Sequence, residues 1–388
     1  MASLRAAEPW WQLDLIAGEE GPLLAEARQL GVRAHCLPFP KRFSKLGCSD
    51  TTTVRSLRAL PAVARYRRDL HYAIQSLAPD LIHTTGVKMH LLAAWDGSAP
   101  VVWHVQDYLS SRRVIARALR LSRPGARAVL AVSRSVASDV RRLLGKTSVV
   151  ETILNAVDLT RFRPRGPRLD LDVLSGMPPA ALGTVRIGLV GTFAKWKGHQ
   201  VFLQALAQLP ASVFRAYIIG GPIYQTSGSQ FSAEELQARV RELSLESRVG
   251  LTGFVPDIAS AMRSLDIVVH ASTAPEPFGL VIAEAMACGR TVIASNAGGA
   301  AELVCNDVDG ISIAPSDPGV LAAAIQDLLH DPVKRMCLAS AARATAVARF
   351  DSTRLGPALS AFYGNILNGT HLESCVSSTS IAVTGTAA

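Results

Sequence analysis

Short apolar, β-branched runs alternate along the chain with longer stretches whose apolar residues recur at helical spacing. That alternation is the pattern of repeated strand–helix units in a parallel sheet. A first series of strands is predicted at 11–17 (WQLDLIA), 33–37, 80–84 (DLIHT), 100–105 (PVVWHV), 127–132 (RAVLAV) and 148–153, with helices between them, as at 21–31, 56–77 and 134–144. A second series is predicted at 185–192 (VRIGLVGT), 214–220, 248–253, 265–271 (LDIVVHA), 290–295 and 311–313, with helices at 198–208, 233–245, 279–288 and 318–329. The fold class expected is α/β, with two doubly wound lobes. The first lobe covers 1–165, a Pro-, Gly- and charge-rich linker 166–183, the second lobe 184–350, and a terminal helix 351–367. Residues 368–388 are small and polar without helical period, and read as a disordered tail. Ligands of open parallel sheets sit outside the carboxyl ends of the strands, which points to the cleft between the lobes.

With 388 residues, 49% of them apolar, the chain can bury a large core. No run approaches the ~18 to 20 apolar residues that would cross a bilayer, and the N-terminal stretch does not read as a secretory signal. The expectation is a cytoplasmic protein. Cys36, Cys48, Cys288, Cys305, Cys337 and Cys375 form no CxxC pair, which argues for reduced thiols and against a zinc site or disulfide framework. Charge is uneven: residues 1–165 hold 25 Lys and Arg against 13 Asp and Glu, and residues 166–388 hold 15 against 18. The basic residues cluster at 55–70 and 112–127, the second without any acid and with interleaved apolar residues. Such segments read either as solvated helix faces or as amphipathic helices on an anionic membrane.

The densest chemical signal is VVHASTAPEPFGLVIAEAMACGRTVIASNAGGAAELV, residues 268–304. A strand ends near Ala271 and a helix begins at Phe278 or Gly279, where backbone N–H groups are available to a phosphate and the glycine lets a ligand approach. Glu284, early in that helix, is placed to accept hydrogen bonds from the vicinal hydroxyls of a ribose. Glu276, in the preceding loop, faces whatever lies beyond the phosphates.

This segment resembles the EPFGL…E signature of glycosyltransferase family 4. VGTFAKWKGHQVFLQAL (190–206), IIGG (218–221), LTGFVPD (251–257), GGAAELV (298–304) and ILNAVDLTRF (153–162) agree in order and spacing. The resemblance implies the GT-B fold, two Rossmann-like lobes facing a central cleft, and retaining transfer of a sugar from a nucleotide diphosphate donor. It implies that Glu276 contacts the donor sugar, Glu284 the ribose and Lys197 the diphosphate. Gly191, Thr192, Lys195, Gly220, Val255, Phe278, Gly279 and Leu280 would complete the nucleotide site. His104, at the end of PVVWHV, is similar to the histidine that the family projects toward the donor sugar and acceptor. By themselves, Lys197 reads as a solvated helix-start lysine and His104 as a structural histidine. Ser133 and Ser135 read as helix caps, and Asn155 and Asp158 as turn residues. The donor would be of UDP, GDP or ADP type and the acceptor a glycan or lipid-linked sugar at the inner face of a membrane. No nucleic acid, metal or other cofactor is required.

Two departures stand out. The family places an arginine after the glycine that ends the 185–192 strand, where this chain has Thr192; Lys195 is the candidate substitute. Family members also begin with a further strand, Gly-rich loop and helix, so the first lobe reads as lacking its first strand–helix unit. The alternative reading is therefore a catalytically impaired nucleotide-binding protein of the same fold. A dinucleotide-dependent oxidoreductase is disfavoured, since GLVGTF lacks the GxGxxG spacing.

Overall fold

The computed structural model describes residues 10–40, 53–145, 149–210, 214–223, 228–368 and 380–385. The chain forms two compact units, Met1–Leu154 with Ser352–Ala388, and Asn155–Asp351. The first unit holds β1 (Gln12–Ala17), β2 (Arg33–Cys36), β3 (Leu81–Thr85), β4 (Val101–Val105), β5 (Ala128–Ala131) and β6 (Val150–Thr152). The second holds β7 (Val185–Val190), β8 (Phe214–Ile219), β9 (Val249–Gly253), β10 (Ile267–His270), β11 (Thr291–Ser295) and β12 (Ile311–Ile313). A last strand, β13 (Ser380–Gly385), belongs to the first unit. The strands β1 to β12 fall within two residues of their expected bounds. Strands buried on both faces are mostly apolar runs with sharp ends, as in β4 and β11, where every residue is buried.

The second sheet has the order β12-β11-β10-β7-β8-β9, with every neighbouring pair parallel. The chain starts at the centre with β7, winds outward through β8 and β9, then returns to the other side at β10. Winding reverses between β7 and β10, so the crevice for a ligand lies at the carboxyl ends of those two strands. Beneath them, Ile187, Leu189, Phe202, Leu206, Ile218, Ile267, Val269 and Ile293 form one buried core.

The first sheet has the order β2-β1-β13-β3-β4-β5-β6, all parallel. Here the sequence reading needs correction. Residues 368–388 are not a tail throughout: Ser380–Gly385 pairs with β1 from Gln12↔Ser380 to Ala17↔Gly385 and with β3 from Ile381↔Leu81 to Thr384↔Thr84. The first strand–helix unit was expected to be absent from the first lobe; in the structure a strand from the far end of the sequence stands between β1 and β3. SIAVTG has the β-branched composition of a strand, hidden by its polar lead-in.

The unit boundary also differs from the expected one. The segment 155–183, assigned by sequence partly to the first lobe and partly to a linker, groups with the second unit, and the helix Leu355–Leu367 groups with the first. Asp172 explains the former: buried in a single helical turn, Leu171–Leu174, it takes Arg186 of β7 at 3.1 Å, Arg215 of β8 at 3.0 Å and the Tyr217 hydroxyl at 2.8 Å. Burial works against the Asp172 charge, but these donors and the Ala180 N–H outweigh it and hold the carboxyl below its ordinary range. Arg263 fastens the same segment through the Pro167 carbonyl at 2.6 Å.

Ser133 caps the helix Arg134–Leu144, as expected, but Ser135 instead meets the Tyr108 hydroxyl at 2.9 Å. Asp158 makes the expected turn, accepting from the Thr160 and Arg161 N–H groups. Cys36, Cys288, Cys305 and Cys337 are free thiols, while Cys48 and Cys375 lie outside the described residues. Among the described residues no helix is long and apolar enough to cross a membrane.

Candidate active site

The two loops at the switch point of the second sheet carry most of the residues singled out by sequence. After β7 the chain passes through Gly191 and Thr192 to a short 3-10 turn, Lys195–Lys197, and then into the helix His199–Gln208. Gly198 is what makes this turn possible. It sits at φ 78°, and a Cβ there would lie 1.8 Å from the Ala271 carbonyl oxygen just beyond β10. Only glycine lets the two loops approach this closely, and the approach brings Lys197 to Glu276.

Lys197 Nζ bonds Glu276 Oε1, and Glu276 Oε2 takes His270 Nε2 and, at 2.9 Å, the Ser272 hydroxyl. Burial raises the Glu276 carboxyl pKa, but His270 and Lys197 together overcome it and hold the group at about 2, fully ionised at neutral pH. The loop is pinned from the other side, where the Gly299 N–H donates to the Glu276 carbonyl at 2.7 Å. The segment GGAAELV therefore fixes the backbone of the same glutamate.

The next helix, Leu280–Ala287, opens on Gly279 at φ 96°, and no side chain caps it. Elsewhere in this unit Ser232, Asp257, Asp317 and Asp331 cap their helices with side-chain oxygens. The bare first turn here leaves backbone donors for an anion. Gly279 serves this turn through its left-handed backbone, whereas the sequence reading valued it for ligand approach. Phe278 is buried edge-on against Phe350, so it anchors the loop, while Leu280 is 44% exposed.

Glu284 lies in this helix, partly buried, and no hydrogen bond or ion pair reaches its side chain among the described residues. Burial pushes its carboxyl up to about 7, against a weaker downward pull from Arg161. A partly buried carboxylate with no protein donor among the described residues is open to hydrogen bonds from a ligand, which a diol supplies. A cavity of about 430 Å³ adjoins the ends of β8 and β9, lined in part by Gly220, Gly221, Thr252, Gly253 and Phe254. Val255, the next residue, is buried.

Lys195 has a neighbour of its own, its ammonium lying 5.7 Å from the centre of the Phe231 ring. Thr192, at the position of the family arginine, keeps a buried hydroxyl without a partner among the described residues. His104 lies in the first unit at the end of β4, buried and joined to His83. Among the described residues no three His, Cys, Asp or Glu side chains cluster as metal ligands.

Residues 11–161 match the family model for Glycosyltransferase Family 4, and residues 180–345 that for glycosyl transferases group 1. The chain belongs to glycosyltransferase family 4. Among curated relatives, a D-inositol 3-phosphate glycosyltransferase of Xylanimonas cellulosilytica is 34% identical over 56% of this chain and 52% of its own length. The lipopolysaccharide core biosynthesis mannosyltransferase LpcC of Rhizobium leguminosarum is 32% identical over 55% and 59%. The chain thus spans about half the length of these relatives. A crystal structure of Anabaena HepE in complex with UDP is 27% identical, with a TM-score of 0.76 over 94% of this chain and 95% of that one. Sucrose-phosphate synthase of Thermosynechococcus elongatus, at 21% identity and a TM-score of 0.73, covers 95% and 92% and shares the GT-B fold.

Sequence reasoning within the family frame missed His270 and Ser272, which hold Glu276. Their signal was present, since both stand at a strand end within six residues of the glutamate. A strand-end histidine reads as core until its partner is known.

Proposed function

We propose that this chain is a retaining glycosyltransferase that passes a sugar from a nucleotide diphosphate donor to a glycan or lipid-linked acceptor. The observation that carries the reading is the pairing of two unlike carboxyls at one switch point. Glu276 is ionised and held by Lys197, while Glu284 is partly buried without a protein partner among the described residues. Lys197 would exchange Glu276 for the donor diphosphate and stabilise the charge that grows on it as the glycosidic bond breaks. Glu276, still held by His270 and Ser272, would orient the donor sugar. Glu284 would take the ribose hydroxyls, and the uncapped turn at Leu280 a phosphate. The cavity at Gly220 and Phe254 is the room we assign to the base. The leaving diphosphate would assist removal of the acceptor proton, giving front-face substitution and retention, and no resident metal or other cofactor enters this scheme.

Support comes from HepE, whose crystal structures hold UDP and UDP-glucose. The alternative of an impaired binding protein rests on the expected loss of the N-terminal Gly-rich loop; β13 fills a strand position of the first sheet, and donor hydrolysis by the purified chain separates the two readings. The acceptor side is assigned to the basic first unit. Its helix Arg113–Ser122 exposes Val114 (75%) and Leu121 (77%) among arginines, which suits the anionic surface of a membrane.

Thermal unfolding with UDP, GDP and ADP tests the donor assignment. At 100 times its Kd the matching nucleotide adds about 2.7 kcal/mol, seen as a shift of several degrees. If none of the three stabilises the folded protein, the reading fails. Proton NMR of the first product formed from an α-linked donor tests retention, and a β-linked product refutes it.

A further inference from the structure

In the first unit three buried polar side chains stand in line. Tyr363 comes from the helix Leu355–Leu367, His83 from β3 and His104 from the carboxyl end of β4, and none is more than 4% exposed. The Tyr363 hydroxyl lies 2.8 Å from His83 Nδ1, and His83 Nε2 lies 3.1 Å from His104 Nδ1. Among the described residues these are the only hydrogen bonds their side chains make. The line joins residues 280 positions apart in sequence.

The protons in this line can be placed by counting donors. Tyr363 has one hydroxyl proton and one acceptor within reach, His83 Nδ1, and a buried O–H left unpaired is costly. Tyr363 therefore donates. His83, neutral because burial holds its pKa well below the ordinary value, must then carry its proton on Nε2 and donate to His104 Nδ1. His104, likewise neutral with a pKa lowered by burial to about 4, is left with its proton on Nε2, on the far side of the ring. The opposite arrangement would strand the tyrosine proton.

We infer that Tyr363 and His83 are positioning residues that lock His104 in the Nε2–H tautomer, so that His104 serves sugar transfer as a hydrogen-bond donor to a sugar oxygen rather than as the base that deprotonates the acceptor. The inference rests on the glycosyltransferase reading above and deepens it. A base needs a bare nitrogen toward the reacting hydroxyl, and the bare nitrogen of His104 faces His83. The acceptor proton then leaves by another route, for which the departing diphosphate is the available oxyanion.

Two-bond 1H–15N spectra of the full chain labelled with 15N-histidine, with His104→Gln used for assignment, read the tautomers directly. The expected spectrum shows His83 and His104 protonated on Nε2 at pH 7.5. Tyr363→Phe removes only the terminal donor. It should mix the His104 tautomers and lower hydrolysis of UDP-glucose roughly tenfold, the worth of one neutral hydrogen bond, with KM unchanged. His83→Gln, which can still present an N–H to His104, should keep the Nε2–H form. A wild-type His104 protonated on Nδ1, or tautomers unmoved in Tyr363→Phe, overturns the lock. If wild-type protein hydrolyses none of UDP-, GDP- or ADP-glucose, the transfer reading and with it the role of His104 fall, while the spectra still decide the tautomer.

Discussion

Glu284→Gln is expected to make the empty protein more stable and, at the same time, a poor nucleotide binder. The Glu284 carboxyl stands at about 7 in the folded protein against an ordinary 4.5, chiefly through burial. A raised carboxyl pKa means that folding takes up a proton between those two values. The stability this contributes is fully present below about pH 4.5 and is lost as the pH rises through about 7. The interval corresponds to about 3 kcal/mol at pH 8. Glutamine keeps the shape and has no charge to desolvate, so it should recover most of that amount at pH 8 and almost nothing at pH 4.5. Thermal unfolding at the two pH values is the assay, and the variant should gain several degrees only at the higher one. Equal shifts at both, or a loss at pH 8, would refute the argument that partial burial disfavours the Glu284 charge.

The same residue predicts a pH-dependent affinity. Ribose hydroxyls donate to the ionised form, so binding expels the proton that the empty site holds near neutrality. Between pH 8 and pH 6 the affinity for a nucleotide sugar should fall about tenfold, with about half a proton released per site at pH 7. UDP-glucose is the suitable probe, because its diphosphate is doubly esterified and lacks the terminal phosphate group that titrates near pH 6. Calorimetry in two buffers of different ionisation heat measures the release directly. Affinity independent of pH over this range would remove Glu284 from the ribose.

Lys197→Ala should cost about 2 kcal/mol of stability, the scale of a charge-assisted hydrogen bond, and should weaken UDP binding far more than uridine binding, as titration calorimetry with both would show. Deleting residues 369–388 leaves β1 and β3 without the strand that joins them; unfolding of the first unit or self-association should follow, seen by limited proteolysis and light scattering. Ala382→Pro should act in the same direction by removing a ladder donor. Val114→Glu with Leu121→Glu on the helix Arg113–Ser122 should abolish co-sedimentation with phosphatidylglycerol vesicles without changing UDP binding.

Much of the fold was legible because parallel strands buried on both faces leave mostly apolar runs in the sequence, and helices such as His199–Gln208 and Pro318–His330 leave their period. The site was legible as a motif before it was legible as geometry. KG and EPFGL announce Lys197 and Glu276, yet nothing in their spacing says that Gly198 must sit against Ala271 to bring them together. Residues that act through contacts between distant segments were invisible for the same reason. His83 and Tyr363 each look like core filler, and only the folded chain shows that one supplies the proton the other needs.

β13 marks the limit of reading a parallel sheet from its sequence. Parallel pairing fixes the direction of a strand and requires a crossover of about a dozen residues or more, but it does not fix when in the chain that strand is made. Counted outward from β13, the first sheet has the same doubly wound order as the second counted from β7: two strands to one side, β1 then β2, and the rest to the other, beginning with β3. The position between β1 and β3 is therefore the first sheet's own switch point, and the strand that occupies it follows the helix Leu355–Leu367, which also supplies Tyr363. The physical requirement on this sheet is that both inner edges, of β1 and of β3, be paired. The C-terminal segment meets that requirement, and it does so next to the strand that carries His83.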